Sequence, residues 1–205
     1  MIYVPSHFSE SDPGKQFAFI REHGFASLIS GTPGEPEVSH LPLLVDETRG
    51  VLRGHMARAN PQWRRFQQAQ PVLAIFHGPH QYISPAWYRT QPSVPTWNYA
   101  VVHVSGVPRL VENRNAVESF LAELVATHES GFETPWRMDL PADYLDAMIA
   151  AIVCFEIDIS SVTGKFKLSQ NRPAEDRPDV IAALERLGVS DAIGVARMMR
   201  ERMPG

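Results

Sequence analysis

The pattern of apolar and polar positions predicts mostly strands, with helices between and after them. Apolar residues alternate with polar ones along 97–110 and along 152–160, which is typical of half-buried strands. Along 113–128 the apolar residues recur at helical spacing, which predicts a long amphipathic helix. Shorter strands are predicted at 25–30, 37–45, 50–56, 71–76 and 81–84.

Further helices are predicted around these strands. The helix at 12–23 begins with Asp12 as its N-cap, followed by a proline that suits the first turn. The dipeptide Asn60-Pro61 predicts the start of a short helix. The segment His77-Gly78-Pro79-His80 predicts a turn, because Gly-Pro interrupts the apolar pattern between two strands. The remaining helices are predicted at 141–150, 175–187 and 191–202.

The order of these elements indicates the fold class. About six strands do not alternate strictly with helices, and no Gly-x-Gly-x-x-Gly follows a strand, so a doubly wound sheet is not expected. A closed or nearly closed antiparallel β-barrel with peripheral helices, an α+β architecture, fits better. We predict a barrel domain over 1–172 and a C-terminal helical appendage over 173–205 that packs on it.

Composition indicates the cellular compartment and excludes some classes of binding partner. The net charge of −4 gives the chain no general attraction for nucleic acid, whose binders usually carry a basic face. The longest apolar run, 147–155, is far shorter than the roughly 20 residues of a membrane span. Cys154 is the only cysteine and lies in that run, so a buried thiol and a reducing, cytoplasmic setting are expected.

Three phrases, 54–63, 94–99 and 164–172, combine cations, amides and hydroxyls with an aromatic residue. This mixture suits a ligand with a flat ring at one end and an anion at the other. The chain has only three lysines, and two of them, Lys165 and Lys167, fall in the third phrase. A flat anionic cofactor is therefore the first hypothesis.

Around the first phrase, the spacing predicts a phosphate cradle. Arg53 and His55 are two apart on a strand, so they share a face. Arg58 and Asn60 lie where strand gives way to helix, and free backbone N–H groups gather at such a boundary. The alternative is a solvated turn, with Asn60 as a helix cap and Arg58 on the surface.

In the second phrase, Trp97 can cover an aromatic ring and Asn98 can bond a ring carbonyl or nitrogen. The alternative is that Trp97 fills the barrel end and Asn98 caps a turn. His40 interrupts an apolar strand, where it is either a core histidine bonded to the backbone or a side chain lying along a bound ring.

In the third phrase, Lys165 and Lys167 alternate with apolar residues, which indicates a strand with one charged face. Ser169 and Gln170 follow in a run of three polar residues. A solvent-exposed strand end would explain the lysines, but it would not explain why lysine is nearly absent elsewhere. We therefore favour a binding role for this phrase.

Taken together, these phrases resemble the PaiB-type family of FMN-binding proteins, often called negative transcriptional regulators. The resemblance spans nearly the whole chain with its motifs in order, and six motifs in series are far more specific than any one of them. The matching segments are 1–8, 39–42, 54–63, 82–88, 94–99 and 165–172.

The resemblance implies an FMN-binding split barrel, shared with pyridoxamine-phosphate-oxidase-like flavoproteins, and a homodimer with FMN at the subunit interface. It also implies the side chains that surround the cofactor. His40, Leu41 and Pro42 would lie beside the isoalloxazine, His55, Arg58 and Asn60 would face the phosphate, Trp97 and Asn98 would approach from the long strand, and Lys167, Ser169 and Gln170 would close the site.

The implied function is that of a negative transcriptional regulator acting as a flavin-dependent sensor. The alternative is an FMN-dependent oxidoreductase, because the same barrel serves oxidases and reductases. Direct DNA binding is not supported by the net charge; Arg197, Arg200 and Arg202 are the candidate basic patch, with a solvated helix end as the alternative. No metal site is expected, because His77 and His80 lack further ligands nearby.

Overall fold

Seven strands and six helices form the part of the chain that the computed structural model describes, residues 2–32 and 34–202. Met1, which begins the first motif of the resemblance, lies outside the described residues. The strands are β1 (Ser9–Glu10), β2 (Phe25–Thr32), β3 (Glu35–Asp46), β4 (Val51–Ala57), β5 (Val72–Ile83), β6 (Thr96–Val111) and β7 (Ile152–Lys167). The helices are α1 (Pro13–Glu22), α2 (Trp63–Phe66), α3 (Arg114–Glu129), α4 (Ala142–Ala150), α5 (Arg177–Leu187) and α6 (Ser190–Arg200).

The seven strands belong to one sheet in the order β1-β7-β4-β3-β2-β5-β6. Strand β6 also pairs with β7, so the ladder from β7 to β6 closes on itself. The pairings β1–β7, β2–β3, β3–β4 and β4–β7 are antiparallel. Closure gives the long strands partners on both sides, which removes open sheet edges. This topology confirms the predicted barrel with peripheral helices.

Strand β4, which pairs with β3 in a hairpin, carries the start of segment 54–63, and its side chains alternate between an inner and an outer face of the sheet. Leu43 pairs with Gly54, and a Cβ on Gly54 would lie only 3.0 Å from the ring of Phe155. Glycine is therefore needed here for the core side chains to approach the strand. Because side chains alternate along a strand, Arg53 and His55 lie on the opposite, outer face.

Strand β5 corrects one prediction. The segment His77-Gly78-Pro79-His80 is not a turn, because β5 runs through it without a break. Gly78 lies directly against the ring of Phe19, where a Cβ would lie 2.5 Å from ring carbon Cζ. The glycine thus serves a close approach between packed elements rather than a reversal of the chain.

Two strands also differ in extent from their predictions. Strand β1 was not predicted, because two residues are too few to show an alternating pattern. Strand β7 continues past the predicted end at residue 160 and reaches Lys167. Lys165 and Lys167 therefore lie on a strand, as their alternation with apolar residues indicated.

The predicted helices are present, with small differences at their ends. Asp12 Oδ1 accepts a hydrogen bond from the N–H of Gly14 at 2.8 Å, which confirms the predicted N-cap of α1. Gly188 separates α5 from α6 in a left-handed conformation, with φ at 68°. Helix α6 ends at Arg200, so Arg202 lies beyond it. None of the described helices is long and apolar enough to cross a membrane.

The described residues divide into two compact units. The hairpin unit comprises 20–32, 34–75 and 104–162, and the C-terminal unit comprises 2–19, 76–103 and 163–202. The boundary predicted at residue 172 stays a prediction. Fully buried side chains at the centre of the hairpin unit are Leu28, Leu43, Leu52, Phe155 and Ile157, and those of the C-terminal unit are Phe76, Ile83, Val102 and Leu184.

Candidate functional site

The residues implied to lie beside a bound ring, His40, Leu41 and Pro42, alternate between the two faces of β3. His40 is exposed, and its Nδ1 lies 3.0 Å from the hydroxyl of Ser27 on β2. Pro42 is opposite Phe25, whose side chain is 66% exposed. The side chain of Leu41 is buried in the core. The outer face of this hairpin therefore presents an imidazole beside apolar groups.

Arg53 and His55 lie together on the outer face of β4, beneath α3. Arg53 Nη2 donates to the Glu123 carboxylate at 2.5 Å, and its guanidinium lies 5.9 Å from the centroid of the Phe120 ring. The His55 ring centroid is 6.2 Å from that of Phe120. Burial lowers the pKa of His55, so its imidazole is neutral at pH 7. In the described structure, Arg53 Nε and His55 Nδ1 are buried without a hydrogen-bond partner.

The side chains of Arg58 and Asn60 hold neighbouring elements at the end of β4. Arg58 donates from Nε to the carbonyl oxygen of Ala150 and from Nη2 to that of Ile152, both at 2.7 Å. Asn60 Nδ2 donates to the hydroxyl of Ser39 at 2.8 Å, beside His40 on β3. These bonds fix the turn to α4, β7 and β3.

Three backbone N–H groups of this turn already have partners. The N–H of Arg58 donates to Ala151 O at 2.8 Å, and the N–H of Asn60 donates to Ala57 O at 2.9 Å. The N–H of Gln62 donates to Asn60 Oδ1 at 3.0 Å. Helix α2 has only four residues, and these three N–H groups are not free for a ligand.

The interpretation of the sequence missed Gln62. This side chain is 2% exposed, and its Nε2 donates to Leu28 O at 3.0 Å, Ser30 Oγ at 3.0 Å and Glu37 O at 3.1 Å. It thereby fixes α2 to β2 and β3. No local pattern indicates this role, because the partners of Gln62 lie on β2 and β3, which are distant from it in sequence.

The C-terminal unit brings Lys165 and Lys167 to the start of β6. Lys167 Nζ donates to the hydroxyl of Thr96, and to the carbonyl oxygen of Trp97 at 2.8 Å. Lys165 Nζ donates to Tyr3 O at 2.9 Å. Burial and the neighbouring Lys165 lower the pKa of Lys167. The hydrogen-bond partners of both ammonium groups are neutral oxygens, so no carboxylate pairs with them in the described structure.

Aromatic rings stand next to this pair of cations. Trp97 is 52% exposed, and its ring lies 6.1 Å from that of Tyr82 at an interplanar angle of 74°. His80 lies 6.2 Å from Trp97 and tilts by 33°. Lys165 Nζ is 5.5 Å from the centroid of the Tyr99 ring. Trp97 therefore does not fill the barrel end; its half-exposed ring lies beside Tyr82 and His80, and its carbonyl oxygen accepts from Lys167.

Asn98, Ser169 and Gln170 form a support behind this face. Asn98 and Ser169 are buried, and Asn98 Nδ2 donates to Ser169 Oγ at 2.9 Å. Ser169 has φ at 63°, which is uncommon for a residue other than glycine. Gln170 folds back on its own turn, where its Oε1 accepts from the N–H of Leu168 at 2.6 Å and its Nε2 donates to Phe166 O.

The predicted site residues thus fall into two clusters, one in each unit. Each cluster combines cationic or amide side chains with exposed apolar or aromatic groups. In the hairpin unit the cluster contains His40, Leu41, Pro42, Arg53, His55, Arg58 and Asn60, and in the C-terminal unit it contains Trp97, Asn98, Lys167, Ser169 and Gln170.

Known proteins share both the sequence and the fold. Residues 2–161 match the family described as "Putative FMN-binding domain". "Protease synthase and sporulation protein PAI 2" of Bacillus subtilis (strain 168) is 32% identical over 205 residues, which cover 98% of each chain. "Uncharacterized protein AN0679" of Emericella nidulans is 34% identical over 203 residues, covering 80% of this chain and 81% of the relative.

A solved structure extends the comparison to the fold. The flavocytochrome Anf3 from Azotobacter vinelandii superposes with a TM-score of 0.63 and 14% sequence identity. The superposition covers 80% of this chain and 72% of that one. At this identity the likeness concerns the fold, which is the barrel built by β1 to β7.

Proposed function

Because the chain belongs to the FMN-binding domain family, with FMN as the cofactor, we propose that it is a homodimeric flavin-dependent sensor that represses transcription. The predicted family and cofactor are confirmed by the match over residues 2–161. The observation that carries the proposal is the lysine pair at the start of β6, where Lys165 lies over the rings of Tyr3 and Tyr99. When bound, FMN supplies reversible hydride and electron transfer, which is the chemistry a redox sensor needs.

The residues of the C-terminal unit fit FMN. An ammonium group has three donors, and Lys167 uses two of them on Thr96 and Trp97. The third donor is left for an oxygen of the cofactor. Trp97 and Tyr82 provide aromatic surface of the kind that stacks on an isoalloxazine. Asn98 and Ser169 have almost no exposed surface, so we infer that they hold the turn in place.

The residues of the hairpin unit supply complementary groups. We propose that His40 and Pro42 face the ring system, with Leu41 contributing only backbone because its side chain is buried. Arg58 uses two of its five donors on carbonyl oxygens, which leaves others for the phosphate. Asn60 and His55 lie on either side of Arg58 along the chain. Arg53 already engages Glu123, and we assign it a different role below.

Exposed apolar side chains support a dimer. Phe25 is 66% exposed and Val38 is 52% exposed on the β2–β3 hairpin. Apolar surfaces rimmed by polar groups are typical of interfaces. We propose that a second copy covers them and that both copies contribute contacts to each FMN.

We propose a reducing, cytoplasmic setting for this dimer, because a single cysteine cannot form an intrachain disulfide. Cys154 is 5% exposed, and burial raises its pKa to about 11. The thiol therefore stays protonated and unreactive, so redox sensing is assigned to the flavin.

Regulation is proposed to be indirect, without specific DNA contacts. Each arginine of the candidate basic patch lies next to a carboxylate: Arg200 pairs with Glu185 at 2.8 Å, Arg202 with Glu10, and Arg197 lies 4.0 Å from Glu201. We expect FMN-loaded protein to bind DNA weakly and without sequence preference. A titration against promoter and random duplexes at several salt concentrations checks this.

The titration separates two mechanisms. A direct repressor neutralises several phosphates, so its log affinity falls with log salt by about 0.9 per contact and one sequence is preferred. Tight, sequence-specific binding that disappears in the variant Arg197→Ala/Arg200→Ala/Arg202→Ala would overturn indirect regulation. FMN binding, followed by flavin absorbance in the same samples, tests the cofactor separately.

An FMN-dependent oxidoreductase is the second candidate, and the exposure of Trp97 favours it. An aromatic face that is 52% exposed lets a reductant approach a flavin stacked on it. Under this alternative, anaerobic mixing with NADH or NADPH should bleach the flavin absorbance within seconds. If neither nucleotide bleaches it, sensing remains the better supported function.

A further inference from the structure

A cavity lies in the hairpin unit, on the outer face of β4, β6 and β7 beneath the first half of α3. Its volume is about 460 Å³, within the range of small-molecule sites. None of the exposed aromatic residues described above lines it. The cavity is therefore distinct from the surface assigned to the flavin ring.

The charged residues that line the cavity are Arg49, Arg53, Arg109, Glu112 and Glu156. Three arginines and two glutamates line the cavity, and two further carboxylates, Glu123 and Asp158, pair with Arg53 and Arg109 from outside the lining. Glu156 lies between two of the cations, since Arg49 Nη1 donates to its Oε1 at 2.8 Å and Arg109 Nη2 donates to its Oε2. The guanidinium groups of Arg49 and Arg109 are thereby held in place by a carboxylate that belongs to the fold.

Arg53 is the cation that is not fully satisfied. Its Nη2 is bonded to Glu123, which does not line the cavity, while its Nε is buried and has no hydrogen-bond partner in the described structure. Buried donors are almost always paired. A carboxylate entering the cavity would compete with Glu123 for the Arg53 guanidinium, because it offers the same charged acceptor to the same donors.

The remaining walls suit an apolar body. Phe120 is stacked near the Arg53 guanidinium and is buried, and Leu110 and Val111 lie on β6. Asn113 and Ala116, from the start of the 16-residue helix α3, complete the mouth. A helix of this length carries partial positive charge at its N-terminus, which adds to the preference for an anion.

We propose that this cavity binds a small organic monocarboxylate, with the carboxylate at Arg53 and the apolar body against Phe120. The bound carboxylate competes with Glu123 for the guanidinium. Because Glu123 belongs to α3 and Arg53 to β4, occupancy changes how the helix is held on the strand that also carries His55. The cavity is thus an effector site, and its existence does not depend on what the flavin does.

Binding of benzoate to FMN-saturated protein, measured by isothermal titration calorimetry, tests the proposal. Benzyl alcohol has the same size without the charge, and we expect benzoate to bind about ten times more tightly or better. Arg53→Met should abolish this preference. Ala116→Trp, which closes the mouth and keeps every arginine, should abolish benzoate binding. Arg200→Met removes an arginine from an exposed pair with Glu185 and should change nothing.

Several outcomes would overturn the effector site. These are no benzoate binding to the native protein, equal affinity for benzyl alcohol, or native affinity in Arg53→Met and Ala116→Trp. Benzoate that displaces FMN, seen as loss of bound-flavin absorbance, would place it in the flavin site and also refute the proposal. Failure of FMN to bind at all would count against the proposed cofactor site and not against the cavity. Calorimetry on flavin-free protein would still measure benzoate binding to the cavity.

Discussion

Replacing Lys167 with methionine is expected to raise the Kd for FMN by about 30- to 150-fold. Methionine keeps most of the apolar stem but removes the ammonium that faces the cofactor in the proposed site. A hydrogen bond to a charged group contributes about 2–3 kcal/mol when its partner would otherwise be left unpaired, which gives this range. Quenching of flavin fluorescence on titration with protein measures the Kd.

The control for Lys167→Met is Lys15→Met, because Lys15 is exposed on α1, away from the aromatic rings. Its Kd should equal that of the native protein. Thermal unfolding without FMN shows whether both variants keep their fold. An unchanged Kd in Lys167→Met, with the fold intact, would remove this lysine from the flavin site.

The pH dependence gives an independent check on the same residue. Burial and the neighbouring Lys165 lower the pKa of Lys167, and only the protonated amine attracts an anion. FMN affinity should therefore be full below the lowered pKa and fall as pH rises through it, earlier than for an ordinary lysine. Lys165→Met removes one of the two causes, so it should move this loss of affinity to higher pH.

Most of the fold could be predicted because the long elements carry strong periodic patterns. Strand β6 and helix α3 each extend over 16 residues, so alternation or helical spacing repeats many times. The two-residue β1 shows no such repetition. In β5, the dipeptide Gly78-Pro79 predicts a turn although the strand continues through it. There, packing of Phe19 against Gly78 overrides the local preference for a turn.

The candidate site was predictable as a set of residues but not as a geometry. The scarcity of lysine singled out Lys165 and Lys167, and the structure places Lys165 over the ring of Tyr99 and Lys167 over that of Phe8. The partners of the other polar residues are distant in sequence, so no local pattern reveals them. Gln62 bonds to Leu28, and Arg49 bonds to Glu156, which is 107 positions away. The cavity lined by Arg49, Arg53 and Arg109 was therefore not predictable from the sequence.

Asp176→Ala is expected to lower the free energy of unfolding by about 3–5 kcal/mol, since it breaks a buried ionic network. Asp176 is fully buried. Its Oδ1 accepts from the N–H groups of Arg89 at 2.9 Å and Thr90 at 3.0 Å, and its Oδ2 accepts from Arg172 at 2.9 Å. Arg172 in turn lies 4.1 Å from the centroid of the Tyr88 ring. Urea unfolding at pH 7 measures the loss.

Asp179→Ala is the matched control, because Asp179 pairs with the side chain of Arg89 at the exposed surface and should change stability little. The sign of the pH effect follows from the pKa of Asp176. Burial raises this pKa, but the hydrogen bonds from Thr90 and Arg172 together lower it by more. The pKa of Asp176 in the folded protein therefore lies below its value in the unfolded chain. The contribution of the carboxylate is thus complete above about pH 4 and is lost as pH falls through the folded pKa. The difference in unfolding free energy between native protein and Asp176→Asn should therefore shrink in acid. A difference that stays constant from pH 7 to pH 3 would contradict this. It would show that packing, rather than the charge of Asp176, holds Arg172 and the backbone of Arg89 and Thr90 in place.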